Sequence, residues 1–464
     1  MNDTKPGQLL SALHWKIMGY IMRILPEVDP PERSLSLKEK LKWSGIILLI
    51  YLILGEIPIY GMAQEAQDYF FFVKAVLASE SGTLITLGIG PVVTAGIFMQ
   101  LFQGAEIFHF DLGSHEGRAQ FQGSQKFLAI FLCFFEAALF VFAGAFGEFG
   151  LGREIFLILQ VGLGAVLIVL MDEIITKWGF GSGISLFIVG GVAKDIFWKL
   201  FSFQSSADYG GQYIGAVPGF LQSLAKGSPI LLRGDLPDMI QVFFTVLIFL
   251  LVVYFESLWV EVPLSAGRFR GTRGGYPLKF IYASVIPVIF TMATFGTFGL
   301  VARSIESRFP TGILGTFDSQ GRAVGGIMYY LSPPRGIFRV LSDPYRAVIY
   351  LILVVILCAL FAVLWTELTG MDSKTVAQRI QQAGVQVAGF QRDIRVIEAV
   401  LDRHIPQVTI MGGIAVGLLA AVADFTSALG TGTGILLAVS ITYRTYSDLR
   451  RNPELPERIK SFIT

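Results

Sequence analysis

Residues 345–366 read YRAVIYLILVVILCALFAVLWT, with no charged side chain between Arg346 and Glu367. A helix needs about 20 residues to cross a hydrocarbon layer roughly 30 Å thick, and this run supplies them. The composition excludes a soluble globule built around it. Of 464 residues, 53% are apolar and 15% charged, too few charges to cover a soluble protein of this size. The solvent of this chain is largely lipid.

Working outward, nine further apolar runs lie at about 43–61, 83–102, 126–147, 154–171, 183–200, 239–260, 280–302, 407–427 and 430–447. Those at 83–102, 183–200, 407–427 and 430–447 carry many Gly and Thr residues, as helices facing protein or water do. Ten spans put both termini on one side. About two-thirds of the 36 Lys and Arg residues fall there, which predicts a multi-pass cell-membrane protein with cytoplasmic N- and C-termini. The outer segment 303–346 runs against that bias with Arg303, Arg308, Arg322, Arg335, Arg339 and Arg346. Ten spans also divide into two halves of five with opposite orientation, the arithmetic of an inverted repeat. A faint echo agrees: Ile89-Gly-Pro-Val-Val-Thr94 in the second run and Ile286-Pro-Val-Ile-Phe-Thr291 in the seventh both hold a proline among aliphatic residues. The expected organisation is a cytoplasmic segment 1–42, halves 43–238 and 239–447, and a cytoplasmic tail 448–464.

Several segments do not fit a plain bundle. In 7–24, Leu9, Leu10, Leu13, Ile17, Ile21 and Ile24 share a helical face opposite Lys16 and Arg23, which predicts an interfacial amphipathic helix. No cleavable signal peptide is expected, so targeting falls to the first span. Between the first two runs, Tyr69, Phe70, Phe71, Phe72, Val73, Val76 and Leu77 form an apolar patch interrupted by Asp68 and Lys74. It fits either a surface helix on the outer leaflet or a re-entrant helix enclosed by protein or water. Two inside loops are basic: 263–279 with Arg268, Arg270, Arg273 and Lys279, and 368–406 with Lys374, Arg379, Arg392, Arg395 and Arg403. Topology alone makes inside loops basic. The Gly-rich finger 266–275 also suits bidentate pairing of guanidinium with phosphate, including RNA.

Catalytic patterns are missing from the sequence. His14, His109, His115 and His404 are dispersed, and no HExxH, Walker A or membrane GxGD motif occurs. Gly430-Thr-Gly-Thr-Gly434 opens a membrane run without a preceding strand, so it reads as close packing or a helix start. Cys133 and Cys358 lie in apolar runs, where a thiol acts as a small hydrophobe. Neither an enzyme nor a cofactor or metal is expected. The intramembrane acids Glu136 and Asp424 each fit an ion-coupling site of a secondary transporter or a satisfied interhelical contact.

Longer motifs decide more. Residues 82–96 (GTLITLGIGPVVTAG), 172–184 (DEIITKWGFGSGI), 261–264 (EVPL) and 276–280 (YPLKF) resemble, in order, the SecY family, large subunit of the Sec protein-conducting channel. The likeness is to its archaeal form and extends from about Pro31 to Ser447. The resemblance implies an all-α polytopic membrane protein with ten transmembrane helices in two inverted five-helix halves around an hourglass pore. It implies a re-entrant plug helix at about 66–81 that contains the aromatic patch. A lateral gate would open between the second and third spans on one side and the seventh and eighth on the other. By motif position the pore ring is Ile89, Val93, Ile184, Ile188, Ile289 and Leu437, and the gate includes Thr94, Glu136 and Ile286. An aliphatic collar strips an ion's hydration without replacing it, yet grips an extended polypeptide without binding it. One departure is Ser284-Val285-Ile286, where some members carry Asn after the serine, so the polar gate cluster here is smaller. The implied partners are a SecE/gamma-type subunit, a beta-type subunit, the ribosome, signal sequences and nascent polypeptides, and membrane lipids, with self-association of two copies left open. Ribosomal RNA would meet Arg268, Arg270, Arg273, Arg392 and Arg395.

Overall fold

The structure, a computed structural model, describes residues 25–62, 77–105, 107–108, 110, 114–147, 149–206, 211–227, 233, 236–263, 275–318, 322–382 and 394–451. The amphipathic segment 7–24, plug residues Tyr69, Phe70, Phe71, Phe72, Val73 and Val76, and docking residues Arg268, Arg270, Arg273 and Arg392 lie outside them.

Helices dominate. In chain order they are α1 (Leu37–Leu54), α2 (Gly90–Gly104), α3 (His115–Phe142), α4 (Leu151–Trp178), α5 (Gly183–Phe201), α6 (Ala216–Lys226), α7 (Met239–Glu256), α8 (Ile286–Arg308), α9 (Ile327–Leu331), α10 (Ile337–Ser342), α11 (Pro344–Leu368), α12 (Ser373–Gln382), α13 (Ile394–Phe425) and α14 (Gly432–Arg451). Three short antiparallel pairs join them: β1 (Ser205–Ser206) with β2 (Gln212–Tyr213), β3 (Trp259–Pro263) with β4 (Gly275–Lys279), and β5 (Thr316–Phe317) with β6 (Ala323–Gly325). Among the described residues six helices are long and apolar enough to cross a membrane: α3, α4, α7, α8, α11 and α13. The chain is a multi-pass membrane protein. α1, α2, α5 and α14 occupy the other four apolar runs. α2 has only 15 residues, and the other three carry charges within their length.

Three of the helix boundaries that differ from the apolar runs bear on the candidate site and the basic segments. α2 starts at Gly90 and α8 at Ile286, several residues into their apolar runs, because the preceding residues form turns. α13 starts at Ile394, well before Pro406, so the segment expected as a loop holds α12 and the first turns of a long helix. Pro406 removes one helical hydrogen bond, but the carbonyl it frees belongs to Asp402, an exposed residue that water can serve.

The described residues form two compact units. One comprises 25–62, 79–187 and 303–309; the other comprises 77–78, 188–302 and 310–451. In the first, α2, α3 and α4 pack in succession through Val92, Ala95, Leu132, Cys133, Ala137, Leu157, Val161 and Ala165, and α1 lies against α4. Small side chains let the helices approach closely where no hydrophobic force drives them together. The limit is Gly164 on α4, where a Cβ would fall 1.9 Å from the carbonyl oxygen of Leu84. The capping box at the start of α1 closes on Glu39, whose carboxylate accepts from the Ser36 amide at 3.0 Å.

In the second unit α11 and α13 are the main packed pair. Cβ atoms at Gly413 and Gly417 would lie 2.9 Å from Ala359 Cα and 3.0 Å from Val355 Cα, so the two backbones touch along a glycine seam. A second core joins Val262 on β3 and Leu278 on β4 to Val376, Ala377 and Ile380 on α12 and to Ile397, Leu401 and Ile405 on α13. This burial explains why α12 and the start of α13 are helical: they dock an amphipathic face on the hairpin.

Segment 303–346 shows what some of its arginines do. Asp343 caps α11, accepting from the Arg346 amide at 3.2 Å and from the Tyr329 hydroxyl. Arg346 donates from Nε and Nη2 to the Ser332 carbonyl at 3.2 and 3.1 Å, with its guanidinium 4.0 Å above the Tyr329 ring. Arg308, in the first unit, lies 5.2 Å from the Phe142 ring centre. Arg308 and Arg346 therefore serve local packing. The Tyr329 hydroxyl and the Arg346 amide hold the Asp343 carboxyl below its ordinary range, and the same bond raises the Tyr329 phenol.

Replacing Gly164 by Ala should cost at least about 1–3 kcal/mol, because backbone must move. Gly45→Ala, at a helical site with nothing within 4 Å, should be neutral or stabilising. Thermal melts of the detergent-solubilised protein compare the two, and equal effects would sink the close-packing account. Asp343 makes a stability contribution that is present above the ordinary aspartate pKa and lost as pH falls through its lowered folded value. Asp343→Asn should therefore flatten the acid limb of the melting-temperature profile. An unchanged acid limb would remove this pair from the account.

Candidate functional site

The expected ring residues all sit at helix starts. Before α2 the chain runs as successive turns from Leu77 to Ile89, with Gly82 at φ +76° and Gly88 at φ +56°. Its polar groups are accounted for locally. The Leu84 amide donates to the Ile57 carbonyl at 3.1 Å, the Ile59 amide to Gly82 at 2.9 Å, and the Thr83 and Thr86 hydroxyls to carbonyls at 2.7 and 2.5 Å. Leu77, the one described member of the expected plug patch, is partly buried at the start of this stretch. Ile89 is then the N-cap, Pro91 lies in the first helical turn where its missing N–H costs nothing, and Ile89 and Val93 are buried. Thr94 follows, and its hydroxyl bonds to the Glu136 carboxylate on α3. Glu136 is only 3% exposed, and its Oε1 has no hydrogen-bond partner among the described residues.

The start of α8 repeats this layout within the second unit. Ser284 has φ +59°, three residues before Pro287, just as Gly88 stands three residues before Pro91. A serine in the left-handed region is strained, which marks the turn as fixed by its surroundings. Pro287 is the second helical residue, as Pro91 is, and two residues on stand Ile289 and Val93, both buried. Ile286, the third expected gate residue, opens α8 and is partly buried.

The remaining ring positions lie on α5 and α14. Ile184 is partly buried against the core of the first unit, while Ile188 and Leu437 in the second are fully buried. Each helix begins on an aspartate of the preceding one. The Ile184 amide donates to Asp172 Oδ1 at 2.9 Å; the Thr433 amide donates to Asp424 Oδ1 at 3.0 Å, and the Thr433 hydroxyl bonds the same oxygen. Asp424 Oδ2 accepts from Tyr350 on α11 at 2.9 Å. Both oxygens of Asp424 are therefore engaged in hydrogen bonds to neighbouring helices. The Gly430–Gly434 run is a helix start with close packing, since a Cβ at Gly432 would fall 1.9 Å from the Ala423 carbonyl carbon. Sequence reading missed the capping roles of Asp172 and Asp424. The available signal was an acid shortly before a Gly-x-Gly at a span's start, at Gly181-Ser-Gly183 and Gly430-Thr-Gly432.

The two basic loops share a root. The hairpin β3–β4, whose strands flank the finger in sequence, and α12 with the start of α13, which lie within the second basic segment, all contribute to the Val262–Leu278–Leu401 core. Arg395, the second residue of α13, is exposed. Both basic segments thus spring from one packed base.

The SecY family model matches residues 83–446, and the model for the plug domain of Sec61p matches residues 49–82. The protein translocase subunit SecY of Pyrococcus furiosus is 44% identical, covering 94% of this chain and 96% of its own. The structure of a protein conducting channel aligns at TM-score 0.82 and 44% identity over 94% of this chain and 97% of that one. Sec61 in the canine ribosome-channel complex from the endoplasmic reticulum aligns at TM-score 0.80 and 44% identity over the same shares. By the family model, the near full-length identity and the structural likeness, the chain belongs to the SecY family.

Proposed function

We propose that this protein is the central subunit of a protein translocation channel, a passive pore for secretory polypeptides with a lateral gate for membrane-protein insertion, driven by a partner such as the ribosome. The observation that carries the reading is the near full-length likeness to a solved protein-conducting channel, with an aliphatic residue at all six ring positions. In this reading the chain has ten spans in two inverted halves, about 43–238 and 239–447, with both termini cytoplasmic. It is not an enzyme; the partner supplies direction.

Ile89, Val93, Ile184, Ile188, Ile289 and Leu437 form the collar. It holds back ions because a hydrated ion entering it meets no hydrogen-bonding group to replace lost water. The plug patch, Tyr69 to Leu77, seals the resting pore. Thr94, Glu136 and Ile286 belong to the lateral gate, where an apolar signal sequence gains about 0.3–0.6 kcal/mol per strongly apolar residue on leaving for lipid. The likeness to a channel in a ribosome complex supports docking through Arg268, Arg270, Arg273, Arg392 and Arg395, and the shared packed base of the two loops supports their acting together. SecE/gamma-type and beta-type subunits complete the assembly.

A ribosome-bound, stalled nascent chain should crosslink to single cysteines placed along both α2 and α8. Reaction with neither would exclude the pore reading. Charge reversal at Arg268 and Arg270 should weaken ribosome binding and flatten its salt dependence, since each lost phosphate contact releases fewer counterions. Unaltered affinity across a salt titration would return these loops to topological bias alone.

A further inference from the structure

The starts of α5 and α14 share a geometry that neither sequence likeness nor the pore reading requires. In each, a glycine lies against the backbone of the preceding helix beside an aspartate. A Cβ at Gly183 would fall 2.6 Å from Asp172 Cα, and one at Gly432 would fall 2.4 Å from the Asp424 amide nitrogen. The residue after each glycine, Ile184 or Thr433, gives its amide to that aspartate's Oδ1 at 2.9 or 3.0 Å. One helical turn later stand Ile188 and Leu437, both fully buried and both ring positions. The spacing from glycine to ring residue is therefore the same in the two places, whereas eleven residues separate Asp172 from Gly183 and eight separate Asp424 from Gly432. The connecting turns differ; the cap and the register it sets do not.

We propose that Asp172 and Asp424 are equivalent positioning residues that set the height and rotation of Ile188 and Leu437 in the collar, a proposal that rests on the pore reading above. The first amides of a helix have no partner inside it, so an acceptor held on a neighbouring helix fixes where the new helix begins. The glycine fixes its rotation, because only one edge of the helix lets the two backbones touch. Residues i and i+4 share a face, so Ile184 and Thr433 transmit that setting to Ile188 and Leu437. A slip of one residue would move the ring side chain about 1.5 Å along the axis and about 100° around it, enough to open an aliphatic collar. Asp424 is itself braced by Tyr350, which ties α11 to the same point.

The test uses the channel complex reconstituted in vesicles, with resting ion efflux as the readout. Asp172→Ala and Asp424→Ala should each raise the leak at least about tenfold, whereas Asp172→Asn and Asp424→Asn, which keep the acceptor oxygen, should stay within about twofold of the unaltered protein. Alanine variants that fold and stay tight would overturn the proposal, and so would asparagine variants that leak as much as alanine. If an alanine variant does not fold, Asp172→Glu or Asp424→Glu replaces it, moving the acceptor by one methylene; an unchanged leak there would also overturn the proposal. The pair Ile188→Gly with Leu437→Gly separates the two levels. A leak from that pair with tight aspartate variants rejects the positioning role alone. No leak from the glycine pair rejects the collar reading.

Discussion

In a bilayer, a backbone amide or carbonyl without a partner costs several kcal/mol, because no water waits to replace a missing bond. A plain helical bundle meets that demand inside each helix. This protein departs from the plain bundle where its candidate collar lies. Residues 77–89 and 281–285 run as turns inside apolar stretches of sequence, and each departure is tolerated because its polar groups are closed by neighbours. The segment before α2 borrows the Ile57 carbonyl, uses two threonine hydroxyls and lies against Gly164, where α4 has no side chain at all.

Starting helices late has a consequence for function. All six ring candidates are the N-cap of a helix or lie in its first two turns. A helix start is defined by what caps it, so its position can be set by a single side chain on a neighbour. A position deep inside a long helix would average over many contacts. The helix starts that carry the ring candidates are thus set by a few local devices: left-handed residues before Pro91 and Pro287, and aspartates before Ile184 and Thr433.

The two basic segments follow a different logic. In the proposed docking their arginines need only reach phosphate, while the described residues that flank them in sequence are packed. Val262 and Leu278 on the hairpin share a core with α12 and α13, which makes two loops separated by about a hundred residues in sequence part of one base.

The sequence by itself determined the class of protein, the positions of the apolar runs and the family motifs. These follow from composition and length against a fixed bilayer thickness, which depend on no contact between distant residues. It also placed the aliphatic residues of the candidate ring by motif, and it read the Gly430–Gly434 run as a helix start. It gave Glu136 and Asp424 the same two alternatives, and tertiary structure shows how differently the two are bonded. Asp424 spends both oxygens on Thr433 and Tyr350, whereas Glu136 keeps one buried oxygen without a partner among the described residues, beside Thr94. It also mistook the second basic segment for a loop, because the face that makes α12 a helix is apolar only toward a hairpin far away in the chain. Hydrophobic runs are written locally, but caps, partners and register are decided by which helix lies alongside.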